Sequence, residues 1–231
     1  MPTGSRRSVD QRYRYVYKPL AFCACLIPLL GCAGGVLGLS GVRVPGFNLG
    51  VDPVRYVLDV LGKTTLNLVL ITLLVSPVRQ LTGWNNLLRL RRMLGLFAFS
   101  YALLHFSMYV GPFQGLSWTA IAQDIAKRPY ITIGFAALLM LIPLAVTSTN
   151  KMMRRLGRRW TTLHRLIYLI AALGVLHYWK MLKLPGREPL VYAAILAVLL
   201  GWRVWRRLRP AHHAARPATS KSAIPKAPEK A

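Results

Sequence analysis

Long apolar segments alternate with short basic segments along most of this chain. A helix needs about 20 apolar residues to cross a hydrocarbon core of ~30 Å, and the apolar segments approach that length. The pattern therefore predicts an all-α membrane protein, built as a six-helix transmembrane bundle. The predicted spans have the approximate bounds 18–40, 56–75, 93–110, 130–148, 160–180 and 189–205.

Glycine and proline mark the expected ends of several spans, because both residues disfavour the continuation of a helix. Ser76-Pro77 is expected to close the second span, and Gly111-Pro112 the third. Residues 41–55 and 113–129 are predicted as loops. Pro143 predicts a kink near the inner end of the fourth span.

The two ends of the chain lack an apolar core pattern. Residues 1–17 are expected to form a basic cytoplasmic tail. Residues 207–231 are rich in Pro, Ala and Lys and are expected to form a disordered cytoplasmic tail. One transmembrane domain, residues 18–206, is predicted between them.

The chain carries 31 Lys and Arg residues against 6 Asp and Glu residues, for a formal net charge of +25. Such a charge can indicate nucleic-acid binding, but the basic residues lie between the apolar segments instead of along one surface. In a six-span topology they favour one side by roughly three to one, so the positive-inside rule places both termini in the cytoplasm. The expected partner is a lipid bilayer, and nucleic acid is not expected.

Three histidines lie within the predicted spans, and ionisable side chains there indicate a function because they are costly in a bilayer. His105 and His177 are both predicted within ~10 Å of the outer surface, at a rise of about 1.5 Å per residue. Two imidazoles at matching depth can bind haem iron from both faces, which favours electron transfer because no coordination position stays open. The alternative is that both are core histidines, hydrogen-bonded to the backbone.

His164, the third of these histidines, lies near the inner surface, and an ideal helix does not place it on the same face as His177. It could bind a second haem, serve a flavin or quinone site, or lie at the membrane interface. The cysteines form no CxxCH haem-attachment motif, so one haem, or two, would be held non-covalently. They are Cys23, Cys25 and Cys32.

Four further residues are candidates for cofactor binding. Lys63 is predicted at a depth close to that of His105, where it either extends toward the outer surface or neutralises a haem propionate. Arg91 and Arg92 either follow the positive-inside rule or bind an anionic group such as a flavin phosphate. Gly174, close before His177, could leave room for a porphyrin.

The chain contains no Gly-rich nucleotide-binding motif and no P-loop. A membrane quinol or a separate protein is therefore the expected electron donor. The alternatives are a stand-alone ferric or quinone reductase, and a transporter or scaffold with structural histidines.

Five segments together resemble one known family, the MsrQ (formerly YedZ) family. Its members are haem-binding membrane subunits of bacterial periplasmic methionine-sulfoxide reductase systems, within the ferric-reductase-like transmembrane group. The segments are 52–79, 90–105, 128–135, 144–168 and 177–179.

The resemblance implies an inner-membrane protein that carries haem b and, as in the family, FMN. It implies electron transfer from the quinone pool to a periplasmic molybdopterin-containing catalytic subunit, which reduces methionine sulfoxide in oxidised proteins. A cytosolic flavin reductase is a further donor that the resemblance suggests. The family's haem-linked histidines correspond to His105, His164 and His177.

The wider group often has a second histidine on the third helix, thirteen or fourteen residues earlier. This chain has Arg92 or Arg91 there, so an inner bis-histidine haem between the third and fifth helices is not expected. The catalytic subunit is expected to dock at the outer ends of these helices, where Phe113, Leu116 and Trp118 lie. The alternative for Trp118 is an interfacial lipid anchor.

Overall fold

The computed structural model describes residues 13–39, 51–182 and 186–208. These ranges contain helices and no strand, which confirms the predicted all-α class. Two short π-helical turns, Tyr13–Tyr17 and Tyr109–Phe113, adjoin the α-helices. The α-helices in chain order are α1 (Lys18–Leu39), α2 (Pro53–Thr82), α3 (Leu87–Met108), α4 (Trp118–Lys127), α5 (Pro129–Val146), α6 (Asn150–Leu156), α7 (Arg158–Leu163), α8 (Leu166–Met181) and α9 (Arg187–Leu208).

Five helical segments of the described ranges are long and apolar enough to cross a membrane. The predicted fifth span is different, because its helix is interrupted at His164 and Arg165 and resumes as α8. The 16 residues of α8 extend about 24 Å at 1.5 Å per residue, less than a ~30 Å hydrocarbon core. The five segments are Tyr15–Val36, Pro53–Thr82, Leu87–Phe113, Pro129–Val146 and Arg187–Leu208.

The helices pack chiefly as two pairs, α2 with α3 and α5 with α8. Buried leucines of α2, among them Leu61, Leu66 and Leu73, contribute to the main core. α9 contacts both α2 and α8, and α1 lies against α2 and α3. Direct backbone contact between α3 and α8 is sparse, so side chains from these two helices meet across the boundary between the pairs.

The predicted end of the second span at Ser76-Pro77 is wrong. α2 continues to Thr82 and ends at Gly83, whose φ of 73° is left-handed. Pro77 has no N–H to donate to the carbonyl of Leu73, and Nη2 of Arg203 donates to that oxygen instead, at 2.7 Å. A replacement donor allows a proline to remain inside a long membrane helix.

The predicted closure of the third span at Gly111-Pro112 is also wrong, because the π-helical turn carries the chain on to Phe113. The predicted loop 113–129 contains α4 instead. Ser117 caps α4, and its side-chain oxygen accepts from the N–H of Ala120 at 3.4 Å.

Asp124 holds this connecting segment together. Its carboxylate accepts from the hydroxyl of Tyr109 at 3.0 Å and from the side-chain amide of Gln114. It also forms an ion pair with Nε of Arg128 at 3.0 Å. The segment between α3 and α5 is therefore a compact unit with internal hydrogen bonds.

Most of the predicted tails and of the loop 41–55 lie outside the described residues. Tyr13, the first described residue, lies within the predicted N-terminal tail and is already helical. Its side chain is buried, with the guanidinium of Arg89 5.4 Å from its ring centroid. α2 already begins at Pro53, capped by the carboxylate of Asp52, which accepts from the N–H of Arg55 at 3.0 Å. α9 extends the predicted sixth span at both ends.

Candidate functional site: a histidine pair between two helix pairs

His105 and His177 each hydrogen-bond to the backbone of the neighbouring helix in their own pair. Nδ1 of His105, on α3, lies 3.0 Å from the carbonyl oxygen of Leu58 on α2. Nδ1 of His177, on α8, lies 2.6 Å from the carbonyl oxygen of Tyr130 on α5. Because a carbonyl only accepts, each Nδ1 carries the proton, and Nε2 of each neutral imidazole is the nitrogen able to bind a metal.

The two imidazoles lie close together across the boundary between the helix pairs. Their ring centroids are 6.4 Å apart and their planes stand at 87°. Two metal–imidazole bonds of about 2 Å each fit within that separation. The described ranges contain no cluster of three or more His, Cys, Asp or Glu residues suited to a metal.

Two glycines, which the sequence reasoning missed, lie directly against these rings. A methyl group added at Gly62 would lie 3.1 Å from Cε1 of His105, and one at Gly134 would lie 2.7 Å from Nδ1 of His177. A glycine inside an apolar helix costs about 1 kcal/mol relative to alanine. An isolated glycine inside a helix often indicates close packing of a neighbouring group. The isolated glycines at positions 62 and 134 are therefore the sequence signal that could have identified both contacts.

Gly174 precedes His177 by three residues on α8. A methyl group added there would contact Cδ1 of Leu66 on α2 at 3.3 Å. The close approach at Gly174 is therefore between α8 and α2, and the glycines that contact the imidazoles belong to α2 and α5.

His164 is not part of this pair and has partners of its own. It lies in the turn between α7 and α8, with its ring stacked on that of Trp160 at a centroid distance of 4.0 Å. Its Nε2 is 3.1 Å from the hydroxyl oxygen of Thr147. That hydroxyl donates its own proton to the carbonyl of Pro143 at 2.6 Å, so Nε2 of His164 is the donor and Nδ1 is the unprotonated nitrogen.

Lys63 follows Gly62 on α2 and pairs with an acidic residue of α9. Its ammonium lies 2.7 Å from Oε2 of Glu188, and the hydroxyl of Tyr178 donates to the same oxygen. These side chains line a cavity of about 270 Å³ that Asp59 also borders. The side chains of Lys63 and Glu188 are 40% and 63% exposed, so the ion pair itself adds little stability.

Arg91 and Arg92, adjacent on α3, have different surroundings. Nη1 of Arg92 donates to the side-chain oxygen of Asn150 at the start of α6. Nε of Arg91 is buried and has no hydrogen-bond partner among the described residues. Two further guanidinium groups, of Arg79 and Arg203, lie close enough to act on Arg91 electrostatically.

Comparison with known proteins identifies the class of membrane protein to which this chain is similar. Residues 61–175 match the family described as "ferric reductase like transmembrane component". The matched range contains Gly62, His105, Gly134 and His164, and it ends two residues before His177. The fold is thus that of a ferric-reductase-like, multi-pass transmembrane protein.

Relatives identify the family more narrowly. The chain is 52% identical over 211 residues to a protein of Xanthomonas axonopodis pv. citri (strain 306), covering 90% of this chain and 95% of the relative. It is 53% identical over 159 residues to a protein of Ralstonia nicotianae, covering 68% and 73%. Both are named "Protein-methionine-sulfoxide reductase heme-binding subunit MsrQ". The chain belongs to the MsrQ family, which confirms the resemblance recognised in its sequence.

Proposed function

We propose that this chain is the haem b-binding, electron-transferring membrane subunit of a protein-methionine-sulfoxide reductase system. One observation carries the proposal. His105 and His177 both donate Nδ1–H to backbone carbonyls, and their ring centroids lie 6.4 Å apart. The names of the relatives support the haem-binding part of the proposal.

The residues present fit a haem, to whose iron His105 and His177 would each supply an imidazole nitrogen. The hydrogen bonds to Leu58 and Tyr130 fix the Nδ1–H tautomer, which leaves Nε2 of each ring as a ligand. The sparse contact between α3 and α8 leaves the space between these two helices to side chains. A bis-histidine haem supplies reversible one-electron transfer, without an open position for a substrate.

We further propose a six-span topology, with α7 and α8 together forming the fifth crossing and both termini in the bacterial cytoplasm. The histidine pair then lies toward the periplasmic side, at the beginnings of α2 and α5. The charge distribution supports this orientation. The acidic residues of the described ranges, Asp52, Asp59, Asp124 and Glu188, all lie at that end, whereas the basic α6–α7 segment lies at the other.

In this orientation the haem would receive electrons from the quinone pool of the inner membrane. It would pass them to a periplasmic molybdopterin-containing subunit that reduces methionine sulfoxide. A cytosolic flavin reductase is a second candidate donor. The segment between α3 and α5 is the proposed docking surface, because Phe113, Leu116 and Trp118 are exposed there at 47%, 62% and 72%.

FMN and a second haem are separate parts of the proposal. The buried, unpartnered Nε of Arg91, beside two further arginines, supports binding of an anionic group at the inner end. Lys63, which pairs with Glu188 in this structure, could pair with a haem propionate instead. His164 remains a candidate ligand through Nδ1, because Thr147 already occupies Nε2.

A second function, stand-alone ferric or quinone reduction, is favoured by the description of the matched family. Against it, the sequence offers no nucleotide-binding motif for a soluble donor. A transporter or scaffold function would not explain why Nε2 of both His105 and His177 is available to bind a metal.

The decisive experiment is an absorption spectrum of the purified protein, with haem and flavin quantified per chain. We expect a low-spin b-type spectrum that a quinol reduces and the catalytic subunit reoxidises. Reoxidation by ferric chelates but not by the catalytic subunit would favour the stand-alone reductase. A colourless protein after expression with ample haem would contradict both redox functions.

A further inference from the structure

We propose that Gly62 and Gly134 are positioning residues for the two axial histidines. Each glycine gives an imidazole the space to lie against the neighbouring helix while its Nδ1–H reaches a backbone carbonyl. The inference rests on the proposed haem-binding function and extends it to residues that do not touch the iron.

The same arrangement occurs on both sides of the site. Leu58 accepts the hydrogen bond of His105, and Gly62 lies four residues later on the same face of α2. Tyr130 and Gly134 have the same spacing on α5 and the same relation to His177. Each histidine therefore bonds to one turn of the neighbouring helix and packs on the next.

The backbone does not require glycine at either position. Both residues lie inside regular helices, and neither is among the positive-φ residues. Alanine would favour these helices by about 1 kcal/mol. The requirement for glycine thus comes from the imidazole that lies against it.

A methyl group added at either glycine would displace the neighbouring imidazole, and the displacement would be larger for His177 than for His105. At Gly134 it would be 2.7 Å from Nδ1 and 2.8 Å from Cε1 of His177, well inside the 3.5–4.0 Å of an ordinary contact. At Gly62 the nearest atom of His105 would be 3.1 Å away. His177 must therefore move further than His105, and its hydrogen bond to Tyr130 is the first to be lost.

The glycine contacts also fix the relative orientation of the imidazoles. With each ring held against its own neighbouring helix, the two planes stand at 87°. Perpendicular axial imidazoles leave two iron d orbitals nearly equal in energy, which gives ferric haem a strongly anisotropic EPR signal. Parallel imidazoles separate these orbitals and give a rhombic signal.

The test compares Gly134→Ala and Gly62→Ala with two matched glycine variants. Gly95→Ala lies on the helix of His105 and Gly201→Ala on α9, and an added methyl group contacts nothing within 4 Å at either. We expect Gly134→Ala to lose most of the six-coordinate low-spin haem, Gly62→Ala to lose less, and the controls to keep it. Membrane yield, monodispersity and helix content by circular dichroism verify folding.

Two readouts distinguish positioning from a general loss of structure. Soluble imidazole should restore a low-spin spectrum in Gly134→Ala, because it can replace a displaced axial ligand but cannot repair a misfolded bundle. The wild-type protein should give the strongly anisotropic EPR signal, a measurement that needs no variant.

An unchanged haem spectrum in a folded Gly134→Ala protein would overturn the proposal, as would equal damage from Gly95→Ala or a rhombic wild-type signal. These results are distinct from failure of the proposed function, in which the wild-type protein itself would bind no haem.

Discussion

The imidazole of His164 donates from Nε2 to the hydroxyl of Thr147, over 3.1 Å. This hydrogen bond separates His164 from His105 and His177, which donate from Nδ1. His164 thus leaves Nδ1 free, whereas His105 and His177 leave Nε2 free, and this difference predicts different effects of their substitution.

We expect His105→Ala and His177→Ala each to abolish six-coordinate haem at the pair, because each removes one axial bond. His164→Ala should retain the low-spin spectrum of that haem, since its ring bonds to Thr147 and stacks on Trp160. Absorption spectra with pyridine haemochrome quantitation measure both effects. Loss of all haem in His164→Ala would show that the assignment of the pair is wrong.

Lys63→Met and Glu188→Gln should shift the haem midpoint potential in opposite directions. Loss of the Lys63 cation stabilises the more positive, oxidised haem and lowers the potential. Loss of the Glu188 anion destabilises the oxidised haem and therefore raises the midpoint potential. Coulomb interactions of a unit charge at an effective dielectric constant near 20 correspond to shifts of roughly tens of millivolts. Spectroelectrochemical titration measures the shifts, with Lys180→Met, an exposed residue in the last turn of α8, as the control. Shifts of one sign in both variants would argue against direct electrostatic action.

Arg203 should stabilise the bundle mainly where Pro77 is present. Its Nη2 supplies the hydrogen bond to Leu73 that the proline cannot make. We expect Arg203→Met to cost about 1–3 kcal/mol, the range for an acceptor left without a donor. The cost should be smaller in a Pro77→Ala background, because alanine restores the helical N–H.

Thermal unfolding in detergent measures this double-mutant cycle. Part of the loss will remain in both backgrounds, because the guanidinium also lies 5.0 Å from the ring centroid of Tyr168. Equal costs in the two backgrounds would mean that the hydrogen bond to Leu73 contributes nothing.

Trp118→Ala should slow reoxidation of the reduced haem by the catalytic subunit without changing the haem spectrum. Trp118 is 72% exposed at the periplasmic end of the proposed topology, and transient electron-transfer contacts are small, so single side chains matter. Trp84→Ala is the matched control, since Trp84 is 56% exposed at the opposite end. Slower reoxidation in Trp84→Ala alone would show that the catalytic subunit docks at the end of the bundle that contains Trp84. The proposed topology would then be reversed.

Much of the molecule could be predicted from the sequence. The apolar segments fixed an all-helical bundle because burying backbone polar groups in lipid requires internal hydrogen bonds. The proximity of His105 and His177 was expected from counting residues along their helices. The family could be recognised from segments such as 90–105 and 144–168, and the relatives bear that recognition out.

The helix ends could not be predicted from local residues alone. Pro77 reads as a helix end in the sequence, but Arg203, 126 positions later, donates to the carbonyl that Pro77 leaves free. The sequence of 113–129 resembles a loop, yet Ser117 and Asp124 organise it into a capped helix.

The sequence by itself determined the helical class, five apolar segments long enough to cross a membrane and the histidines. Only the tertiary structure decided which nitrogen each histidine leaves free and which glycines lie against the rings. The reason is physical. Periodicity and composition act within one helix, whereas the contacts of His105 with Gly62 and of His177 with Gly134 depend on how separate helices pack.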